Sequence, residues 1–155
     1  MHVTKDNSVV HRCLAEALDI EGKTLEAIYH YNEAIRIHPD DVIAHFLRGI
    51  AYYKLGQHQR SIMDFNEVIN LNPNYTKAYN NRGIVYTQMG IYQKALEDFN
   101  EAIHLKSDYA DAYNNRASIY LKQGDNISGC RDAQKACGLG NCKLLEIATG
   151  RGLCR

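Results

Sequence analysis

Glycine returns in this chain at a fixed interval: Gly22, Gly56, Gly90 and Gly124 stand 34 residues apart, each just after a run with helical apolar spacing. A second register runs ahead of it, Ala15, Gly49, Gly83 and Ala117, all small, and three residues further on comes a third, Leu18, Tyr52, Tyr86 and Tyr120. Behind the turns the motif recurs as "YNEAI" (31 to 35), "FNEVI" (65 to 69) and "FNEAI" (99 to 103). Four copies fill almost the whole chain, so the core must be distributed along a stack of like units rather than gathered in one place.

Each register has a physical task in a helix-turn-helix unit. Small residues at Ala15, Gly49, Gly83 and Ala117 let the first helix approach the second, where Ala27, Ser61, Ala95 and Gly129 provide the matching flat spot. Tyr31, Phe65 and Phe99 fill the space around that contact. The periodic glycines end the first helix in the left-handed conformation and set the turn. Pro39 and Pro73 stop the second helix, since proline disfavours helical geometry in the residue before it. Ser107 stands where a third proline is due, with Asp108 as an alternative cap for the following helix. The pattern predicts first helices over 8–21, 42–55, 76–89 and 110–123, and second helices over 24–38, 58–71, 92–105 and 126–138. A ninth helix over 142–149 carries Leu144, Leu145 and Ala148 on one side, as a lid on the last unit.

These registers resemble the tetratricopeptide repeat over residues 8 to 138, with its small-aromatic-Gly-Ala-aromatic-Ala-Pro signature. The ends depart from it: Leu18 replaces an aromatic in the first unit, and Gly129 and Ala133 replace an alanine and an aromatic in the fourth. The resemblance implies an all-α fold, a right-handed α-α superhelix of four repeats (8–41, 42–75, 76–109 and 110–140) with a capping helix, forming one domain over 1–155. It also implies a concave groove lined by one face of each first helix. In the third unit that face carries Lys77, Asn80, Asn81 and Ile84; in the fourth, Asn114, Asn115 and Ser118. An amide has both a donor and an acceptor to offer an unpaired peptide backbone, and related superhelices hold peptides through such asparagines. The resemblance gives that role to Asn81 and Asn115, with Asn80 and Asn114 beside them. The second unit presents Ile43, Phe46, Ile50 and Tyr53 instead, an apolar pocket for an anchoring side chain. Two blander readings stay open: the asparagines are solvated helix residues, and residues 1 to 7 or a second copy cover the apolar face.

The two-carboxylate clamp by which some relatives read acidic tails does not assemble here. Arg12, Glu16, Leu47, Lys77 and Asn81 occupy its places in one register, and Phe46, Ile50, Asn81, Asp111 and Asn115 in the next. Arg48, Arg82 and Arg116 recur, but at a position facing the seam between helices, and read as structural.

Four of five cysteines crowd the end. Cys130 and Cys137 share a helical face about 10.5 Å apart, too far to bridge each other, so any partners are Cys142 and Cys154, in two connectivities. Reduced buried thiols are the leading expectation; disulfides, which imply an oxidising compartment, and a zinc site without a close C-x-x-C pair are the others. Cys13 is left over.

Lys and Arg match Asp and Glu at 18 each, which provides no field to gather nucleic acid. No apolar run reaches the length of a membrane span, and the first residues lack the pattern of a secretory signal, so a cytoplasmic location is the default and a periplasmic or secreted one follows only from removal of a signal. No H-E-x-x-H, G-x-S-x-G or phosphate-binding loop occurs, and no catalysis, cofactor or metal is expected. The expected function is a scaffold or adaptor binding a peptide or protein segment in its groove. The alternative is a self-associating module using the apolar face of the second unit.

Overall fold

The computed structural model describes residues 3–154, with side chains from residue 7 onward. Among the described residues it holds nine α-helices and no strand: α1 (Val3–Ile20), α2 (Thr24–Ile37), α3 (Val42–Lys54), α4 (His58–Leu71), α5 (Thr76–Gln88), α6 (Tyr92–Leu105), α7 (Ala110–Lys122), α8 (Asn126–Gly138) and α9 (Lys143–Gly150). α1 begins earlier than the apolar register predicts, because no glycine or proline interrupts it before its end. The helices fall into two compact units, residues 1–78 and 79–155.

In the first unit α1 pairs with α2 and α3 with α4. Ala15, Ala27, Ile28, Tyr31 and Ala51 form one buried cluster, so a residue of α3 enters the core of the hairpin before it. The flat contact between helices is occupied by a ring: a Cβ built on Gly49 would lie 2.9 Å from Phe65 Cε1. Ser61, fully buried beside it, donates to the Gly49 carbonyl at 2.7 Å. The turn glycines Gly22 and Gly56 take φ of +81° and +70°. The N–H after each bonds back across the turn, Lys23 to the Leu18 carbonyl and Gln57 to the Tyr52 carbonyl, both at 2.9 Å, which satisfies carbonyls the helix end would leave bare.

The second unit repeats the pattern. A Cβ on Gly83 would lie 2.7 Å from Phe99 Cε1, and Ala95, Phe99 and Ile119 form its buried cluster. Gly129 has a local cause: a Cβ there would lie 2.6 Å from Leu121 Cγ, so leucine fills the room that alanine would need. The cap expected at Asp108 is not made. α7 starts after Tyr109 with no side-chain cap, and only the backbone carbonyl of Asp108 is engaged, accepting from Ala110 N at 3.0 Å. Asp41 and Asp125 do cap α3 and α8, accepting from Ile43 and Ala44 and from Ser128 respectively. The backbone leaves α6 as it leaves α4, Lys106 at φ −142° and ψ 95° against −142° and 90° at Asn72, although Ser107 replaces proline.

α9 packs on α8 with Ala148 buried and Leu144 and Leu145 half-buried. Two disulfides fasten this end, Cys130–Cys154 with Cα atoms 5.5 Å apart and Cys137–Cys142 with Cα atoms 3.9 Å apart. The leading expectation of reduced thiols gives way to these crosslinks. The helical separation of Cys130 and Cys137 holds, and the turn before α9 returns Cys142 to the end of α8 while the chain after α9 returns Cys154 to its middle. Cys13 is free and exposed. No helix among the described residues is long and apolar enough to cross a membrane, and no group of three or more His, Cys, Asp or Glu is arranged to hold a metal ion.

Candidate functional site

The residues expected on the inner wall divide sharply by burial. On α3, Ile43 is exposed and Ile50 and Tyr53 are half-buried. Phe46, expected in an apolar pocket, is only 8% exposed, which leaves little of its ring to meet a partner. Its ring packs at 5.8 Å from that of Phe65 and 5.1 Å from that of Tyr75, so it belongs to the core of its own hairpin and the turn that follows. α3 is tied to α1 by Lys54, whose Nζ lies 2.6 Å from Asp19 Oδ2, while Arg12 Nε lies 3.3 Å from Asp41 Oδ2. The cations of this wall are thus neutralised in place. The suggested cover from residues 1 to 7 falls almost wholly outside the described side chains.

On α5 and α7 the four asparagines do unlike things. Asn80 is 5% exposed, and its Oδ1 accepts from Asn115 Nδ2 at 3.0 Å. This pair is a strut between the two helices that engages one group of each amide. Asn81 is half-buried and its amide has no partner among the described residues. Asn114 is half-buried with a buried Oδ1 that no donor reaches. Ile84 packs against the Phe99 cluster, and Lys77 and Ser118 are exposed.

The recurring arginines are structural and have partners that sequence reasoning missed. Arg48 Nη2 lies 2.6 Å from Asp64 Oδ1 and its Nε 2.9 Å from Oδ2. Arg82 repeats this on Asp98 with the same two distances, and Arg116 on Asp132 at 2.8 and 2.6 Å. All three aspartates are buried. Burial holds the Asp98 carboxyl above its ordinary range, against the pull of Arg82. Arg48 and Arg116 also reach back to the preceding hairpin, donating to Asn32 Oδ1 at 2.7 Å and Asn100 Oδ1 at 2.6 Å, which gives the asparagine of the "NEAI" motif its task. The signal was present as Asp64, Asp98 and Asp132 at the same 34-residue interval.

Around the ion pairs, Tyr79 and Tyr113 lie under Arg82 and Arg116 at 5.6 and 5.5 Å. His45 replaces this tyrosine in α3. Its Nδ1 meets Asp64 Oδ1 at 3.3 Å and its Nε2 the Pro39 carbonyl at 2.9 Å. Burial pulls its pKa down, but the bonds to Asp64 and Pro39 override it and the net shift is upward.

Comparison with known proteins gives a consistent picture. A family profile described as TPR repeat matches residues 15–56 and 49–90, and two described as tetratricopeptide repeat match 76–109 and 110–139. No curated protein matches the chain. Among solved structures, it is similar to MamA (41-end) from Desulfovibrio magneticus RS-1, with 26% identity and a TM-score of 0.79 over 87% of this chain and 76% of that one. It is also similar to the first TPR of Spaghetti (RPAP3), solved bound to the HSP90 peptide SRMEEVD, with 25% identity and a TM-score of 0.75 over 80% of this chain and 98% of that one. The Arabidopsis OM64 TPR domain shares the fold at 21% identity, with a TM-score of 0.74 over 77% of this chain and 98% of that one.

Proposed function

The chain belongs to the tetratricopeptide repeat family, and from that premise we propose that it is a non-enzymatic scaffold holding an extended segment of another protein against the first helices of its repeats. The observation that carries this reading is the division among the asparagines: Asn115 Nδ2 donates to Asn80 Oδ1, while Asn81 and the buried Oδ1 of Asn114 have no partner among the described residues. A buried carbonyl oxygen without a donor, as at Asn114, costs stability, and an extended main chain supplies the N–H it lacks, while the half-buried Asn81 amide offers that main chain both a donor and an acceptor. Asn81 and Asn114 are therefore the gripping pair.

No carboxylate clamp on the α1–α3 wall holds the segment. Arg12 and Lys54 are paired with Asp41 and Asp19, so the α1–α3 wall has few free cations to offer, unlike what a ligand such as the SRMEEVD peptide of the Spaghetti domain calls for. A panel of uncharged extended peptides tests both statements. Binders should lose about tenfold or more in affinity in Asn81→Ala/Asn114→Ala, two lost hydrogen bonds at about 1 kcal/mol each, and SRMEEVD should not bind. Equal affinity in wild type and double variant would retire the amide grip.

A second reading is self-association, favoured by one observation. Val10 and Leu14 of α1 are 62% and 43% exposed, more than the α3 face first considered for this role. Light scattering across a concentration series separates the two, since a monomer throughout removes self-association. The paired cysteines support an oxidising compartment over the cytoplasmic default.

A further inference from the structure

Within the second unit, α7, α9 and the turn after α9 enclose a cavity of about 260 Å³. Its walls are Leu121, Leu144, Ile147 and Leu153, with Ala148 as a buried floor. Ile147 and Leu153 remain 43% and 36% exposed, so apolar surface faces water around a hollow that a ligand would dry. The shape is held from behind. Gly152 takes φ of +71°, Leu153 N bonds to the Ala148 carbonyl at 2.9 Å, and the next residue, Cys154, is crosslinked to Cys130 in α8.

The rim is cationic. Lys122 and Arg151 both line the cavity, and neither forms an ion pair among the described residues. Lys122 Nζ donates to Tyr92 Oη at 2.5 Å, a neutral partner that positions the ammonium without cancelling its charge. Arg151 has no partner of any kind among the described residues, and no carboxylate lines the hollow. Two uncompensated cations over an apolar pit complement a molecule with an anionic head and a hydrocarbon body. A peptide main chain fits less well, because the walls provide only the Ser118 hydroxyl as a neutral hydrogen-bonding group.

We propose that this cavity binds a medium-chain carboxylate, its alkyl chain among Leu121, Leu144, Ile147 and Leu153 and its head on Arg151 and Lys122. At the ~30 Å³ that a water molecule claims in the liquid, the volume suits about eight or nine heavy atoms, which admits the carbons of octanoate and leaves its carboxylate oxygens at the rim. The site is independent of the amide grip on Asn81 and Asn114.

Calorimetric titration of the oxidised full chain with butanoate, hexanoate, octanoate and dodecanoate tests it. Affinity should rise by about fourfold per methylene up to octanoate and then level off as the cavity fills. Octanol should bind at least about tenfold more weakly than octanoate, and Arg151→Gln or Lys122→Gln should each weaken octanoate by about five- to tenfold. Both cations are exposed, so a circular dichroism spectrum identical to wild type is expected for each. Octanoate should also shift the methyl resonances of Leu121, Leu144, Ile147 and Leu153. The proposal is overturned if octanoate does not bind, if octanol binds as well, if the Arg151→Gln/Lys122→Gln double variant keeps full affinity, or if methyls elsewhere move instead. It is equally overturned if a leucine-terminated peptide shifts these methyls and octanoate does not, which would assign the cavity to a chain terminus.

Discussion

The first and last hairpins are written on the same 34-residue frame, yet they are supported in different ways. At the C-terminal end α9 lies on α8, two disulfides fasten it, and Arg116 grips Asp132 beneath. At the N-terminal end the places of that ion pair hold Leu14 and His30. His30 turns to His11 instead, one ring nitrogen donating to the other across 2.9 Å. Val10 shows the contrast most plainly. Its equivalents Ala44 and Ala112 are fully buried, each within its own unit, whereas Val10 is 62% exposed. A repeat position is therefore apolar because a neighbour covers it, and where none does the same register leaves hydrocarbon in water.

Removing Asp132 should produce the largest effect. Asp132→Ala leaves the Arg116 guanidinium half-buried without its carboxylate and should cost about 3 kcal/mol in urea unfolding, while His30→Ala at the equivalent place should cost under about 1 kcal/mol. Similar losses at both sites would erase the distinction between the ends. Next comes the staple. Cys154→Ser opens a crosslink between residues 24 apart in sequence and should cost about 3 kcal/mol on the chain-entropy view. Exchange of the α9 amides should quicken while those of α1 and α2 stay unchanged. Equal loosening of both ends would show that the crosslink does not act locally.

Installing the missing pair is a smaller and more constructive change. Leu14→Arg/His30→Asp copies Arg48–Asp64 into the first hairpin and should stabilise it by at most about 1 kcal/mol, since the site is half open to solvent. Destabilisation would mean that the pair needs a preceding hairpin to complete it, as Asn32 completes Arg48. The smallest effect concerns pH. Because His45 titrates above the ordinary histidine value, the folded chain holds that proton more tightly than the unfolded one. The stability this confers is complete below pH of about 6.5 and fades as pH rises through the elevated value. Wild type should thus melt slightly lower at pH 8.5 than at pH 6, and His45→Tyr, the residue found at 79 and 113, should flatten the difference. A slope unchanged by the substitution would place the titration elsewhere.

The helices and their turns were legible because each depends on local chemistry: a left-handed glycine at 22, 56, 90 and 124, and a fixed spacing of small and aromatic residues around it. The roles of the asparagines were not. Asn80 and Asn81 are adjacent and identical, and only the approach of Asn115 from the neighbouring helix decides which one is engaged. The burial of Phe46 is hidden for a similar reason, since Tyr75, far along the chain, comes to lie 5.1 Å from its ring. The cysteine pairing is a choice between two connectivities that spacing alone leaves equal. The Arg–Asp ladder is a different case, because its period is visible in the sequence: Asp64, Asp98 and Asp132 keep the same interval as Arg48, Arg82 and Arg116.

Lys106 adopts the same backbone angles as Asn72, although serine follows the one and proline the other. The flanking helices, then, impose the bend, and the pyrrolidine ring serves chiefly to restrict the denatured ensemble. Its absence at position 107 leaves the folded architecture untouched and makes the random coil of the second unit more permissive, a bias toward unravelling that no inspection of native contacts would disclose.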